Sequence, residues 1–428
     1  MNEEKPREIA ARVLAQGRPG GEFTEALLDC ALERVALSSP DRGLCRELVL
    51  GVVRWHTALD WLIAQKTQGR TQRAGLQELL RLGLYQIFWL DRIPDHAAVN
   101  ETVEQARRGG YGAQAGFVNA VLRGYLREAD ATKVKLADLK TSHPSIGWSH
   151  PEWLVRRWSE RLGDERTQHL LEWNNTPPKM YARVNTLRTT AENLIKQWRE
   201  EGVDYDFFTR DWTGENLVFE LKSFPALPSL KSFRDGWFYI QDPGTLLAVR
   251  ELDPQPGEAV LDLCAAPGGK TTFIAQLIRN EGRVVAHDVS PARLKLVQEN
   301  CTRLGVTCVD ILSSLASVKF HFDKMLLDAP CSNTGVMRRR VDLRWRIRQK
   351  EISRLREAQR DLLHQSAGHL KPGGVLVYST CSLEPEENAE VVKQFLADNP
   401  AFKCEREREL TPFADGVDGA FVTRLRRA

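Results

Sequence analysis

The chain has 428 residues, of which 42% are apolar and 27% charged, with a net charge of +3. That length exceeds what one core usually serves, so two or three domains are expected, and the near-balance of charge excludes a chain drawn to nucleic acid by its overall field alone. No apolar run approaches the roughly 20 residues that span a bilayer, and the polar start Met-Asn-Glu-Glu-Lys is unlike a secretory leader, so a cytoplasmic protein without a membrane partner is expected.

From Pro6 to about Arg127 the apolar residues recur at helical steps. Leu44, Leu48, Val52, Trp55, Leu59 and Leu62 form one such series, and Leu76, Leu79, Leu80, Leu84, Ile87 and Phe88 another. Pro and Gly interrupt the pattern at Pro40-Asp-Arg, Ile93-Pro-Asp and Gly109-Gly-Tyr-Gly, which predicts a bundle of about six or seven helices. Trp55, Trp61 and Trp89 lie at helical spacing and are read as its core. A turn-rich stretch from Ser142 to Glu152 follows. Beyond it we expect a helix over 151–162, a strand over 181–185, a helix over 190–201, and strands near Tyr205 and Leu217, together a small α+β accessory domain.

From about Trp237 strands alternate with helices. Strands are predicted over 259–263, 283–287, 306–312, 324–327 and 375–378, with helices over 293–303 and 350–369 between them. Such alternation makes a mostly parallel, Rossmann-like α/β sheet that binds ligands at the carboxyl ends of its strands. The expected division is an all-α domain over 1–135, the accessory domain over 136–235 and the α/β domain over 236–428.

Cys264, Asp288, Asp328 and Cys381 all fall at predicted carboxyl ends. The loop Cys264-Ala265-Ala266-Pro267-Gly268-Gly269-Lys270 permits a tight turn and close approach of a ligand to free helix N–H groups. Asp288 stands about 20 residues beyond the glycines, the separation at which a carboxylate meets ribose hydroxyls in nucleoside-binding sheets. Gly-Gly-Lys-Thr ends like a phosphate-binding loop, but position 264 is Cys where that loop needs Gly, which argues against nucleotide hydrolysis. The eight cysteines include no CxxC pair and no zinc-ligand spacing, so reduced thiols and no metal are expected. Cys331 and Cys381 each stand in a short loop after an apolar strand, beside the proposed donor loop. Two thiols there suit methylation of a carbon that is not itself nucleophilic, with S-adenosyl-L-methionine as methyl donor.

The runs Asp262-Leu-Cys-Ala-Ala-Pro-Gly-Gly-Lys-Thr271, Asp328-Ala-Pro-Cys-Ser-Asn-Thr-Gly335 and Ser379-Thr-Cys-Ser-Leu-Glu-Pro-Glu-Glu-Asn388 resemble those of the RNA 5-methylcytosine methyltransferases of the Sun/Fmu and Nop2 superfamily. With His96-Ala-Ala-Val-Asn100 and Asn119-Ala-Val-Leu-Arg123, nearly the whole chain resembles the bacterial Sun/Fmu branch, whose helical N-terminal domain is NusB-like. The resemblance implies an RRM-like accessory domain and methylation of cytosine C5 in small-subunit, 16S-type ribosomal RNA. It implies attack on C6 by Cys381, with Cys331 assisting release of the product. In DNA cytosine methyltransferases the Pro-Cys position is instead the nucleophile, so the roles of the two thiols stand open to exchange.

Asp328 is expected to meet the N3 and N4 edge of the base as well as the donor, and to need a proton if it donates to N3. The family's further Asp after the third strand aligns with Ser314 and Leu315, so no adenine contact is assigned to Asp310. Cys30, Cys45, Cys301, Cys308 and Cys404 are read as structural. The run Arg338-Arg-Arg-Val-Asp-Leu-Arg-Trp-Arg-Ile-Arg-Gln-Lys350 is read as an RNA-binding segment, its charges on phosphates and Trp345 on an exposed base. The target cytosine should then be looped or flipped out, and the protein monomeric. Two other readings compete: a ribosome-assembly factor on the same fold without turnover, and an exocyclic-amine methyltransferase, which would need no thiol.

Overall fold

The computed structural model describes residues 5–17, 21–316, 318 and 320–428; residues 1–4, most of the polar start, lie outside that description. By contact density the chain falls into two units, one of Met1–Thr176 with Met337–Ile347, the other of Pro177–Val336 with Arg348–Ala428.

The first unit is helical. Between Pro6 and Arg127 its described residues form seven α-helices, the number expected from the breaks. Pro40 does not end a helix. It sits in the first turn of Ser39–Arg54, where its missing N–H costs nothing, and the Ser38 hydroxyl caps that turn by accepting from the Asp41 N–H at 3.3 Å. The period from Leu44 to Leu62 belongs to two helices, Ser39–Arg54 and His56–Thr67, because the backbone turns at Trp55 (φ −101°, ψ 19°). Trp55 is buried against Trp89, ring centroids 5.1 Å apart, whereas Trp61 and Trp89 are only half-buried. Residues 136–176 continue as helices, among them Glu152–Leu162 and Asp164–Asn175, and cluster with this unit.

The basic run expected to bind RNA is divided: Arg340, Arg348 and Lys350 are exposed, whereas Arg338 and Arg344 are buried, and residues 337–347 belong to the helical unit. Arg344 is fully buried, donating to the Asn175 side chain at 2.8 Å and to the carbonyls of Asn174 (2.8 Å) and Ser149 (3.2 Å). Buried Arg338 lies 3.9 Å from the centroid of the Trp173 ring. The Trp345 indole donates to the Val53 carbonyl at 2.7 Å, and the Asp342 carboxylate accepts from the Thr24 N–H at 2.8 Å. Alternation of charge with Val341, Leu343, Trp345 and Ile347 is what a snorkelling, buried segment looks like, and sequence alone does not separate it from a solvated one.

The second unit holds two sheets. The smaller contains β1 (Met180–Val184), β2 (Asp204–Phe208), β3 (Val218–Ser223) and β4 (Phe238–Ile240), ordered β2-β3-β1-β4 and antiparallel throughout. Helix Ala191–Glu201 covers it. Thr190 caps that helix, and Trp198 is buried with its ring 5.4 Å from those of Phe219 and Phe238.

The larger sheet contains β5 (Ala259–Asp262), β6 (Arg283–His287), β7 (Val309–Leu312), β8 (Phe322–Asp328), β9 (Leu370–Thr380), β10 (Phe402–Leu410) and β11 (Ala420–Arg427). Its order is β10-β11-β9-β8-β5-β6-β7; β7 through β9 pair in parallel, and β11 runs antiparallel to both β9 and β10. The Rossmann-like reading holds, with an antiparallel edge added. Lys403-Cys-Glu-Arg-Glu-Arg in β10 is polar because the strand lies at the sheet's exposed edge, so it carries little apolar alternation to read.

Arg344→Met would strip three carbonyl acceptors of a charged donor in the helical unit. We expect a loss of at least about 2 kcal/mol, read as a lowered Tm, whereas Arg340→Met, at an exposed position of the same run, should leave Tm unchanged.

Candidate active site

Strand order fixes where the chemistry collects. β5, β6, β8 and β9 all run the same way, so Asp328 at the end of β8 and Cys264, Asp288 and Cys381 just past the ends of the others emerge along one edge of the sheet. Asp328 stands opposite Ser379 in the β8–β9 ladder, and the Ser379 hydroxyl donates to its Oδ1 at 2.8 Å. Three residues beyond Asp328 and two beyond Ser379, the sulfurs of Cys331 and Cys381 lie 3.3 Å apart.

The two loops are bound closely to one another. The Gly335 N–H donates to the Cys381 carbonyl at 2.9 Å, and its own carbonyl accepts from Gly419. A Cβ at Gly335 would lie 2.5 Å from the Gly419 oxygen and 2.9 Å from the Cys381 oxygen, so only glycine lets the loops approach this far. Asn333, in the left-handed region at φ 58°, spans both cysteines: its amide donates to the Cys331 carbonyl at 2.7 Å and accepts from the Cys381 thiol at 3.0 Å. The Cys381 hydrogen bond and burial hold the Cys331 thiol well above the usual range.

Lys270 enters from the glycine loop and meets Asp328 Oδ2 at 2.6 Å. Burial works to lower the Lys270 pKa, but the charge and hydrogen bond of Asp328 with the nearby Cys381 and Asp262 together outweigh it and the net shift is upward. In both its contacts Asp328 is the acceptor, which suits it to receive the N–H of an amino group rather than to donate.

The donor side is built from β5 and β6. Gly268, at φ 100°, caps the helix Gly269–Leu277, and a Cβ there would press on Val297 at 3.2 Å. Buried Asp288 accepts from the N–H groups of Ser290 (3.0 Å) and Ala266 (3.4 Å) and meets Arg293 at 3.2 Å. Asp262 is also fully buried; Thr271 donates to its Oδ2 at 2.6 Å, while its Oδ1 has no partner within the protein. Burial raises the Asp262 pKa to about 7, against the opposing Thr271 bond. An unpaired buried carboxylate oxygen beside a glycine loop fits a ligand that brings an ammonium group. Burial pushes the half-buried Cys264 thiol up to about 12.

Asp262, Asn333 and Glu387 were not singled out from sequence. The signals for them were present, a carboxylate ending the first strand and polar residues beside each cysteine, but single polar residues in loops are ordinarily turn formers. Asp310, to which no adenine contact was assigned, lies within β7 and pairs with Arg283 at 2.6 Å. Of the cysteines read as structural, Cys45 and Cys301 are buried and Cys308 half-buried, but Cys30 and Cys404 are exposed, where nothing requires a thiol. Among the described residues no cluster of His, Cys, Asp or Glu has the arrangement of a metal site, and no helix is long and apolar enough to cross a membrane.

Comparison with known proteins covers the chain from end to end. Residues 249–425 match the model of the 16S rRNA methyltransferase RsmB/F, residues 4–127 that of the NusB family, and residues 150–209 that of the RsmF/B-like ferredoxin-like domain. A probable ribosomal RNA small subunit methyltransferase B of Bacillus subtilis is 34% identical, with 100% of both chains covered. Among solved structures, that of PH0851 is similar at a TM-score of 0.78 and 25% identity, covering 99% of this chain and 100% of its own. A methyltransferase homologue from Pyrococcus horikoshii is similar at a TM-score of 0.58 and 32% identity, over 66% of this chain and 97% of its own.

Asp262 gives a pH test of the donor side. Its pKa rises from about 3.9 in the unfolded chain to about 7 in the fold. The stability linked to it is therefore complete below about 3.9 and is lost as pH rises through about 7. Asp262→Asn should show a smaller fall in Tm between pH 5 and pH 8 than the parent. An equal fall would mean that this carboxyl does not titrate there.

Proposed function

The chain belongs to the RsmB/F family of 16S rRNA methyltransferases, and on that premise we propose that it methylates cytosine at C5 through a covalent bond between Cys381 and C6. The single observation that carries this reading is the 3.3 Å approach of the Cys331 and Cys381 sulfurs. Methylation of an exocyclic amine has no use for either sulfur, and a fold kept only for binding has no use for the pair.

Cytosine C5 is a poor nucleophile until C6 is saturated. Addition of the Cys381 thiolate to C6 pushes electron density onto C5, which becomes enamine-like. Asp328 favours that addition by accepting from the 4-amino group as charge develops on the ring, with Lys270 holding its carboxylate in position. S-adenosyl-L-methionine, when bound, supplies the methyl group as an electrophile on a sulfonium. The backbone of residues 264–269, Asp288 and the free oxygen of Asp262 are the groups that would hold it. Release needs the C5 proton to leave and the C6–S bond to break, returning the electron pair to Cys381; the Cys331 sulfur would take the C5 proton while its own proton passes to the departing Cys381 sulfur 3.3 Å away, regenerating both thiols.

The test is transfer of tritium from labelled S-adenosyl-L-methionine to unmodified small-subunit rRNA. Cys381→Ala should abolish 5-methylcytosine formation by about three orders of magnitude or more, and Cys331→Ala should accumulate protein covalently bound to RNA. RNA containing 5-fluorocytosine should trap the parent protein. Loss of the adduct in Cys331→Ala alone would exchange the roles, and no incorporation into any rRNA would favour a binder without turnover.

A further inference from the structure

Glu387 is a fully buried carboxylate that the chemistry above does not use. It closes the short turn Pro385–Glu387, and its side chain reaches the residue that follows each cysteine. One oxygen accepts from the Ser332 N–H at 2.8 Å and from Gln359 at 3.0 Å; the other accepts from the hydroxyls of Ser332 and, at 2.5 Å, Ser382. The same Gln359 amide donates to the Pro330 carbonyl at 2.9 Å, so both neighbours of Cys331 are fastened. The Glu387 carbonyl accepts from the Tyr378 hydroxyl at 2.6 Å, tying the turn to the strand that delivers Cys381.

All four donors are neutral, and the turn, the Cys331 loop and the helix Gln349–Ala367 converge on one side chain. Burying an ionisable group among neutral donors is costly, and a structure that needed only packing would use an apolar residue. A carboxylate offers about four lone-pair sites on two oxygens, which matches this set of donors. We propose that Glu387 is a positioning residue for methyl transfer, clamping the loops of Ser332 and Ser382 so that the Cys331 and Cys381 sulfurs stay in contact. The proposal rests on the roles given above to the two cysteines. Its charge also contributes to the raised pKa of Cys331, after the Cys381 hydrogen bond and burial.

Sulfur contact can be measured without turnover. Diamide takes one hydrogen from each of two neighbouring thiols, becoming the hydrazine as the disulfide forms, and a linked Cys331–Cys381 peptide is read by mass spectrometry. Glu387→Gln keeps the shape but turns an acceptor into a donor facing two hydroxyls. We expect its crosslinking rate and kcat each to fall by about tenfold or more, with the KM for S-adenosyl-L-methionine unchanged. Glu387→Asp, which restores the charge on a shorter arm, should recover part of both. A variant that crosslinks and turns over at the parental rate would overturn the proposal. If Glu387→Gln does not fold, judged by circular dichroism, Ser382→Ala removes one arm alone: severalfold slower crosslinking supports the clamp and a parental rate overturns it. If the cysteine roles themselves are wrong, crosslinking would still respond to Glu387 while the RNA adduct is either absent from every variant or lost in Cys331→Ala alone.

Discussion

The pairing of β8 with β9 is the constraint on which the site depends. Because the two strands are parallel, both chains leave the sheet on the same side, and the register of Asp328 with Ser379 sets how far each has travelled when it does. From that register, two thiols 50 residues apart in sequence arrive at 3.3 Å. A slip by one residue would turn every side chain of a strand to the other face, exchanging the cluster of Met325, Leu327, Leu376 and Tyr378 with that of Leu326, Val375 and Val377, so the packing of both faces holds this proximity. Core packing and site geometry are therefore one requirement. Gly335 and Asn333 then hold the loops at a separation that the sheet alone does not impose.

Around the thiols the charges are arranged with equal economy. Asp262, Asp288 and Asp328 all stand at strand ends, and the cations that meet them are Lys270 on Asp328 and Arg293 on Asp288. Asp262 has only a hydroxyl, and its raised pKa records the cost of that isolation. A site of this kind is unfavourable when empty and improves when a cationic ligand enters, because the ligand supplies the missing partner. On this argument the strain of the buried carboxylate is converted into selectivity for a ligand carrying positive charge.

Much of this was legible in the sequence, and for a definite reason. Strands buried on both faces read as apolar runs, helices covering them show their own period, and a residue immediately after an apolar run is at a strand end wherever the sheet places that strand. Asp288, Asp328 and Cys381 could be located on that basis alone. What failed to show was whatever depends on partners distant in the chain. Arg344 and Arg338 carry the same formal charge as exposed Arg340, and nothing local reveals that two of them point into a helical unit whose carbonyls and Trp173 lie more than 160 positions away. β10 was missed because an edge strand has no second face to bury, and Glu387 because a glutamate in a turn has no distinguishing neighbour until the fold brings Ser332 to it.

The two misread features share a cause that bears on how the chain divides its labour. The positive charge of Arg344 and the negative charge of Glu387 are each removed from solvent and satisfied by neutral groups, carbonyls in one case and N–H and hydroxyl donors in the other. Such arrangements add little net stability, since desolvation offsets most of the hydrogen bonding, but they are intolerant of displacement: each donor has one direction in which its acceptor lies. An apolar contact slides at small cost, and a buried charge held by three or four oriented bonds does not. Where a segment must be fixed to within a few tenths of an ångström, as the proposed chemistry requires of the loops bearing Cys331 and Cys381, that intolerance is the useful property.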